Sequence, residues 1–215
     1  MKSYCITLRE TVDRWASAYN HFAGHGLFPE QFLGLNAVKW GLTTKNSYDV
    51  DHPGTGFHIP QKHVGLHLSH YWLWRQISRL ASTNNGSDYS LIMEDDSRYI
   101  GNDPLLSVLA EYEDWLKSME ADYRPLILFL GSCNCAGKPS ETINESLGIH
   151  KLEWPQCTHA YIVNNRAAAG LILSQEKSWA PIDLAMIFNS FPEMKGHVYT
   201  VLPRLFDQGT QSICP

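Results

Sequence analysis

Charge is scarce in this chain. Only 18% of the 215 residues are Asp, Glu, Lys or Arg, and 17 cations against 22 acids leave a net charge of −5. The basic excess on which phosphate-backbone binding rests is missing, so an extended nucleic-acid surface is not expected. Long apolar runs are missing too. No stretch approaches the ~18 residues of a membrane span. The opening Met1-Lys2-Ser3-Tyr4-Cys5-Ile6-Thr7-Leu8-Arg9-Glu10 reaches charge before the apolar core of a secretory leader could form. Cys5, Cys133, Cys135, Cys157 and Cys214 are odd in number and scattered, which is not a disulfide framework. Cys133 and Cys135 lack both Cys-x-x-Cys spacing and a second pair. These absences read as a soluble, cytoplasmic protein in reducing surroundings, without a transmembrane segment.

What is present suffices for a sizeable core: 44% of the residues are hydrophobic and 12% aromatic, without repeats or low-complexity tracts. Residues 1–215 read as one domain. Tyr4 to Leu8 is a β-prone run, and Val12, Trp15, Tyr19 and Phe22 follow at helical spacing over Thr11 to Phe22. Gln31 to Leu35 is a second short apolar run. Gly41 to Pro60 lacks periodicity and reads as a long surface loop of the kind that serves as a lid. A helix is expected from His63 to Leu80, a buried strand from Tyr89 to Met93, a helix from Pro104 to Met119 and a doubly covered strand from Pro125 to Gly131. Ala160 to Val163 and Val198 to Leu202 read as strands, with a short helix from Arg166 to Leu173 between them. Alternating strands and helices predict an α/β domain with a mostly parallel central sheet flanked by helices. Ligands of such sheets gather beyond the carboxyl ends of the strands.

Glu94-Asp95-Asp96 stands at such an end. Three adjacent carboxylates repel one another, and a hard divalent cation, Mn2+ or Mg2+, held with ligand phosphates would offset that repulsion. A solvated acidic turn is the competing explanation of the triplet alone. His63, His67 and His70 fall on one side of a helix, but without a fourth ligand or a His-Glu-x-x-His pattern they do not make a zinc site. Of the seven tryptophans, Trp154 and Trp179 lie in irregular segments and offer flat faces on which a ligand ring could stack.

Five blocks, taken in order, resemble those of glycosyltransferase family 25, which includes bacterial lipooligosaccharide and procollagen galactosyltransferases. They are Ile6-Thr7-Leu8-Arg9 with Arg14, Gly65-Leu66-His67-Leu68-Ser69-His70, Leu91-Ile92-Met93-Glu94-Asp95-Asp96, Thr158-His159-Ala160-Tyr161-Ile162-Val163 and Pro181-Ile182-Asp183. The resemblance implies a single GT-A type, Rossmann-like nucleotide-sugar-binding domain. It implies UDP-galactose or UDP-glucose as donor and a divalent cation at an Asp-x-Asp-like motif. Metal ligands would be Asp96, Glu94 and His159. The donor would meet Leu8, Arg9, Arg14, Ser69, His70, Glu94, Asp95 and Gln208. Asp183 would be the general base that takes the acceptor's proton in an inverting transfer.

The implied acceptor is a hydroxyl of a glycan or of a hydroxylated macromolecule. The loop from Gly41 to Pro60 and the stretch from Cys133 to Glu153 match no block of the family, and acceptor specificity is expected there. Two other functions use the same residues: a non-catalytic relative that binds nucleotide-sugar or glycan, and a divalent-metal phosphoesterase.

Overall fold

Along each central strand, neighbouring side chains enter two different cores. Tyr4 and Ile6 point one way and Cys5 the other; Ile92 opposes Leu91 and Met93; Ile127 and Phe129 oppose Leu128; Tyr161 and Val163 oppose Ile162. This period of two, with both faces buried, makes the sheet the middle of three layers. The computed structural model describes residues 1–42, 60–81, 88–119, 124–131, 140–152, 157–174, 182–188 and 197–209.

The elements are β1 (Lys2–Thr7), α1 (Val12–Gly24), β2 (Glu30–Leu33), α2 (Gln61–Ala81), β3 (Tyr89–Glu94), β4 (Ser97–Tyr99), α3 (Leu105–Ser118), β5 (Ile127–Phe129), β6 (Glu141–Asn144), β7 (Ile149–Lys151), β8 (Ala160–Asn164), α4 (Asn165–Ser174), α5 (Ile182–Phe188), β9 (Val198–Val201) and β10 (Phe206–Gln208). An eight-stranded sheet runs β2-β1-β3-β8-β5-β9-β7-β6. The pairings of β1 with β2 and β3, and of β5 with β9, are parallel, while β8 is antiparallel to both β3 and β5. β7 is antiparallel to β9 and β6. Six strands therefore point one way and two, β8 and β7, the other. This is a mixed, mostly parallel sheet flanked by helices, as the alternation of elements predicts. β10 and β4 form a separate antiparallel ribbon.

One core packs Ala18 and Phe22 of α1 and Leu105, Leu109, Tyr112 and Leu116 of α3 against the sheet. The opposite core packs Leu73, Trp74 and Ile77 of α2, Ala167, Ala168 and Leu171 of α4, and Ile182 and Met186 of α5. Fully burying one such aliphatic side chain contributes about 2 kcal/mol, so these faces supply most of the driving force. Asn164 fixes the switch from β8 to α4. Its Oδ1 accepts from Ala167 N at 2.8 Å as an N-cap and from Leu126 N at 3.0 Å, which ties the helix start to the neighbouring strand.

Four short strands, β4, β6, β7 and β10, lie outside the predicted elements, and Asp183 lies inside a helix rather than ahead of one. The expected lid loop falls almost wholly outside the described residues, as do Cys133, Cys135, Trp154 and Trp179. Cys157 is disulfide-bonded to a residue outside the described set, contrary to the expectation of reduced thiols throughout. Cys5 is free and buried. Among the described residues no helix is long and apolar enough to cross a membrane.

His21 supplies an acid-sensitive joint between α1 and the ribbon, because its Nε2 accepts the Tyr99 N–H at 2.9 Å. Burial, with His25 and Arg98 nearby, holds its pKa below the ordinary value. At pH 8 the folded and unfolded forms are both neutral. As pH falls below about 6.5 the unfolded chain binds the proton first, so the folded state loses stability. Thermal melts should show a drop in melting temperature from pH 7 to pH 5 that is shallower in His21→Gln, whose amide oxygen accepts the same N–H without titrating. Equal slopes would remove His21 from the acid response.

Candidate functional site

Beyond the carboxyl ends of β1 and β3 lies a cleft of about 720 Å³. Its floor is Ile6, Thr7 and Leu8, which close β1, together with Glu94, Asp95 and Asp96, which close β3. The parallel pairing of these strands sets Ile6 opposite Glu94 and makes the two ends one edge. Arg14 of α1 reaches in from one side. Leu35 to Lys39, the turn after β2, and Lys62, His63, Leu66 and Ser69 of α2 form the opposite wall.

The three acids have different environments. Asp95 is clamped: its Oδ2 accepts from Thr7 Oγ1 at 2.9 Å and Thr11 Oγ1 at 3.2 Å, its Oδ1 from Arg14 Nη2, and its own N–H goes to Ile6 O at 3.0 Å. It is 6% exposed. Asp95 was expected to contact the donor, but its carboxylate is occupied in joining β3 to β1 and α1. Asp96 is nearly the reverse. Its Oδ2 stands 3.3 Å from Arg14 Nη2, but its buried Oδ1 has no hydrogen-bond partner among the described residues. Burial, joined by the charge of Glu94 and opposed by that of Arg14, pushes its carboxyl up to about 6.

Glu94 is held from behind. Thr158 Oγ1 donates to its Oε1 at 2.7 Å, and His70 Nε2 lies 3.5 Å from the same oxygen, an electrostatic contact rather than a formed hydrogen bond. Burial alone would raise the Glu94 carboxyl. The His70 imidazole and the Thr158 hydroxyl overcome it and leave the group below the usual range. The antiparallel entry of β8 makes this possible, because residues preceding β8 arrive at the edge where β3 ends: Glu94 N donates to His159 O at 3.0 Å, and Ser97 Oγ donates to the same carbonyl.

His159 is 1% exposed, and its Nε2 donates to Phe206 O at 3.3 Å, leaving Nδ1 a lone-pair nitrogen without a hydrogen-bond partner among the described residues. Burial, against the opposing charge of Glu94, holds its pKa below the ordinary value. Among the described residues, no three His, Cys, Asp or Glu side chains converge closely enough to hold a metal. The expected ligand trio of Asp96, Glu94 and His159 is therefore not one cluster. An orphaned, hard carboxylate oxygen on Asp96 fits a divalent cation that takes its remaining ligands from phosphates and water rather than from an all-protein cage.

Leu8, Arg14 and Ser69 do line the cleft. The Ser69 hydroxyl is already engaged, donating to Gly65 O at 2.6 Å and accepting from Leu35 N at 2.8 Å, so it fastens the turn after β2 onto α2. Gly65 permits that approach: a Cβ there would stand 2.5 Å from Leu35 O. Arg9 is exposed and lies outside the cleft lining. Gln208 sits in β10 opposite Ser97, and the next residue, Gly209, donates to Asp96 O at 2.8 Å. Asp183 Oδ2 accepts from Cys157 N at 3.0 Å, holding a left-handed residue (φ 73°) just before Thr158.

Sequence reasoning missed Lys39 and Lys62, and considered His63 only as part of a zinc pattern. Lys39 is paired with Glu10. Lys62 has no carboxylate partner among the described residues. Burial and Lys62 lower the pKa of His63, while Asp183 and then Glu94 oppose the shift, which sets His63 within electrostatic reach of both acids. No sequence pattern announces this wall, because lone Lys residues on a turn and in a first helical turn look like ordinary surface.

No family model matches the chain, and no curated protein does. Solved structures do resemble it. One is a glycosyltransferase involved in the glycosylation of the major capsid of PBCV-1, with a TM-score of 0.42, 12% identity, and 89% of this chain and 70% of that one covered. Another is the apo-form glycosyltransferase GlyE of Streptococcus pneumoniae TIGR4, with a TM-score of 0.39, 12% identity, and coverage of 86% and 41%. HddC from Yersinia pseudotuberculosis gives a TM-score of 0.44, 12% identity, and coverage of 97% and 93%. These are likenesses of chain path.

Proposed function

We propose that the chain is a metal-dependent glycosyltransferase of the family 25 type, moving galactose or glucose with inversion from a UDP-sugar to a hydroxyl of a glycan or hydroxylated macromolecule. The observation that carries this reading is Asp96 Oδ1, a buried carboxylate oxygen without a hydrogen-bond partner among the described residues. Asp96 lines a cleft whose far wall carries Lys62 and His63. A cation beside Asp96 would offset the charge that develops on the departing diphosphate. Arg14 neutralises Asp95 and stands beside Oδ2 of Asp96, leaving Oδ1 of that residue for the ligand. Lys62 and His63 face the phosphates as donors, and the apolar turn of Leu35, Ala37 and Val38 covers the nucleoside. Asp183 is the proposed base for the acceptor hydroxyl, supported by its electrostatic reach to His63 on the cleft wall.

Calorimetry with UDP, UDP-galactose and UDP-glucose, in Mn2+ and then in EDTA, tests the reading. Metal-dependent binding of a UDP-sugar is expected, and absence of binding under every condition would sink it. Release of inorganic phosphate from nucleotides lacking a sugar would instead indicate a phosphoesterase. Within the same assay, Lys62→Ala should weaken UDP-galactose by about tenfold, the loss of one charge-assisted contact. Unchanged affinity would take Lys62 out of the phosphate site.

A further inference from the structure

We propose that Trp74 and Tyr161, which do not line the cleft, are positioning residues that fix the ring proton of His70 and through it the direction in which Glu94 meets the ligand. The inference deepens the donor-site reading and rests on it for the identity of that ligand. An indole N–H can only donate, and Trp74 Nε1 lies 2.8 Å from the Tyr161 hydroxyl oxygen. The hydroxyl therefore accepts from Trp74, and its own proton goes to the remaining neighbour, His70 Nδ1 at 2.9 Å. With Nδ1 an acceptor, the imidazole proton sits on Nε2, the nitrogen 3.5 Å from Glu94 Oε1. The opposite tautomer would turn a lone pair toward a carboxylate. A neutral imidazole satisfies both ends of the chain only in this arrangement.

Trp74, His70 and Tyr161 are each 0% exposed, so the protein sets these bonds without bulk solvent competing. Ring packing holds them in place independently of the bonds. Tyr161 stacks on His70 with centroids 5.7 Å apart and lies against Phe129 at 5.7 Å. Because His70 and Thr158 both address Oε1, Glu94 Oε2 makes no hydrogen bond to the described residues and is the oxygen left for the cleft that Glu94 lines.

Nitrogen-15 NMR of the ligand-free protein should find His70 protonated on Nε2 and accepting at Nδ1. Tyr161→Phe, which keeps the ring, should give a mixture of tautomers and move the Glu94 side-chain carboxyl carbon-13 signal. Trp74→Phe, which frees the Tyr161 hydroxyl to turn, should do the same more weakly. In calorimetry with Mn2+ and UDP-galactose, Tyr161→Phe should lose about fivefold in affinity, the scale of one hydrogen bond. A wild-type His70 protonated on Nδ1, a tautomer unchanged in Tyr161→Phe, or a scrambled tautomer with unmoved Glu94 signal and unchanged affinity each overturns the proposal. Wild-type protein that binds no UDP-sugar removes the donor reading instead, and the two ligand-free NMR signals still decide the positioning role. Should Tyr161→Phe not fold, the wild-type tautomer and Trp74→Phe carry the test.

Discussion

Asp96→Asn is expected to abolish Mn2+-dependent binding of UDP-galactose while raising the melting temperature of the ligand-free protein. Both effects come from one oxygen. Asp96 Oδ1 is buried without a hydrogen-bond partner among the described residues, Glu94 and Asp95 add charge of the same sign, and the carboxyl is pushed up from 3.8 to about 6. A raised carboxyl means that the folded state bears an ionisation penalty above pH 6 that the unfolded chain does not. The penalty fades as pH falls through 6. Every tenfold gain in a carboxylate's proton affinity corresponds to about 1.4 kcal/mol, but the side chain is 35% exposed and solvent screens it, which leaves a gain of roughly 1 kcal/mol for the neutral amide. That is about 2–4 °C for a domain of this size. The comparison is between melts at pH 8 and pH 5, with calorimetry beside them. Retained metal-dependent binding in the variant would discard Asp96 as the ligand. Equal melting temperatures at pH 8 would show that this carboxylate costs the fold nothing.

Gly131→Ala should cost about 3 kcal/mol or more and disturb the acidic corner from behind. A Cβ at this position would stand 2.1 Å from His159 Nε2 and 2.8 Å from Phe206 O, closer than non-bonded atoms approach. Gly131 bridges Phe206, which in turn accepts from His159, and the His159 carbonyl receives Glu94 N. Relief would have to displace the His159 ring, β10, or both. Urea denaturation measures the loss. Removing the ring in Gly131→Ala/His159→Ala should recover part of it, since only the approach to Phe206 O then remains. Wild-type stability in the single variant would mean that the corner is looser than its distances indicate.

The framework was legible because it is written in local patterns. The runs in β1, β3, β5 and β8 and the helical stripes of α1, α2 and α3 need no partner to be recognised. The short strands were not legible for the opposite reason. Ser97-Arg98-Tyr99 and Phe206-Asp207-Gln208 carry no alternation of their own and become strands only by pairing with each other. The position of Glu94-Asp95-Asp96 followed from the strand before it, but the division of labour among the three did not. Asp95 is occupied because Thr7, Thr11 and Arg14 converge on it, whereas Asp96 Oδ1 receives no partner among the described residues. Ser69 lines the cleft and His70 stands behind Glu94. Their contacts, hydrogen bonds to Leu35 and Gly65 in one case and a hydrogen bond to Tyr161 with an electrostatic approach to Glu94 in the other, are tertiary facts without a sequence signature.

The β4–β10 ribbon also orders the assembly of the molecule in time. A ribosome releases Glu94 to Asp96 more than a hundred residues before Phe206 to Gly209, yet Asp96 O is bonded by Gly209 and His159 by Phe206. Contacts so distant along the chain form late in folding, after local helices and adjacent parallel strands are in place. A nascent chain halted before residue 206 carries all three acids and the Arg14 clamp, but neither the backbone donor to Asp96 nor the seat of His159. The acidic corner is completed only as the tail docks, so a half-made protein does not yet present it in finished form.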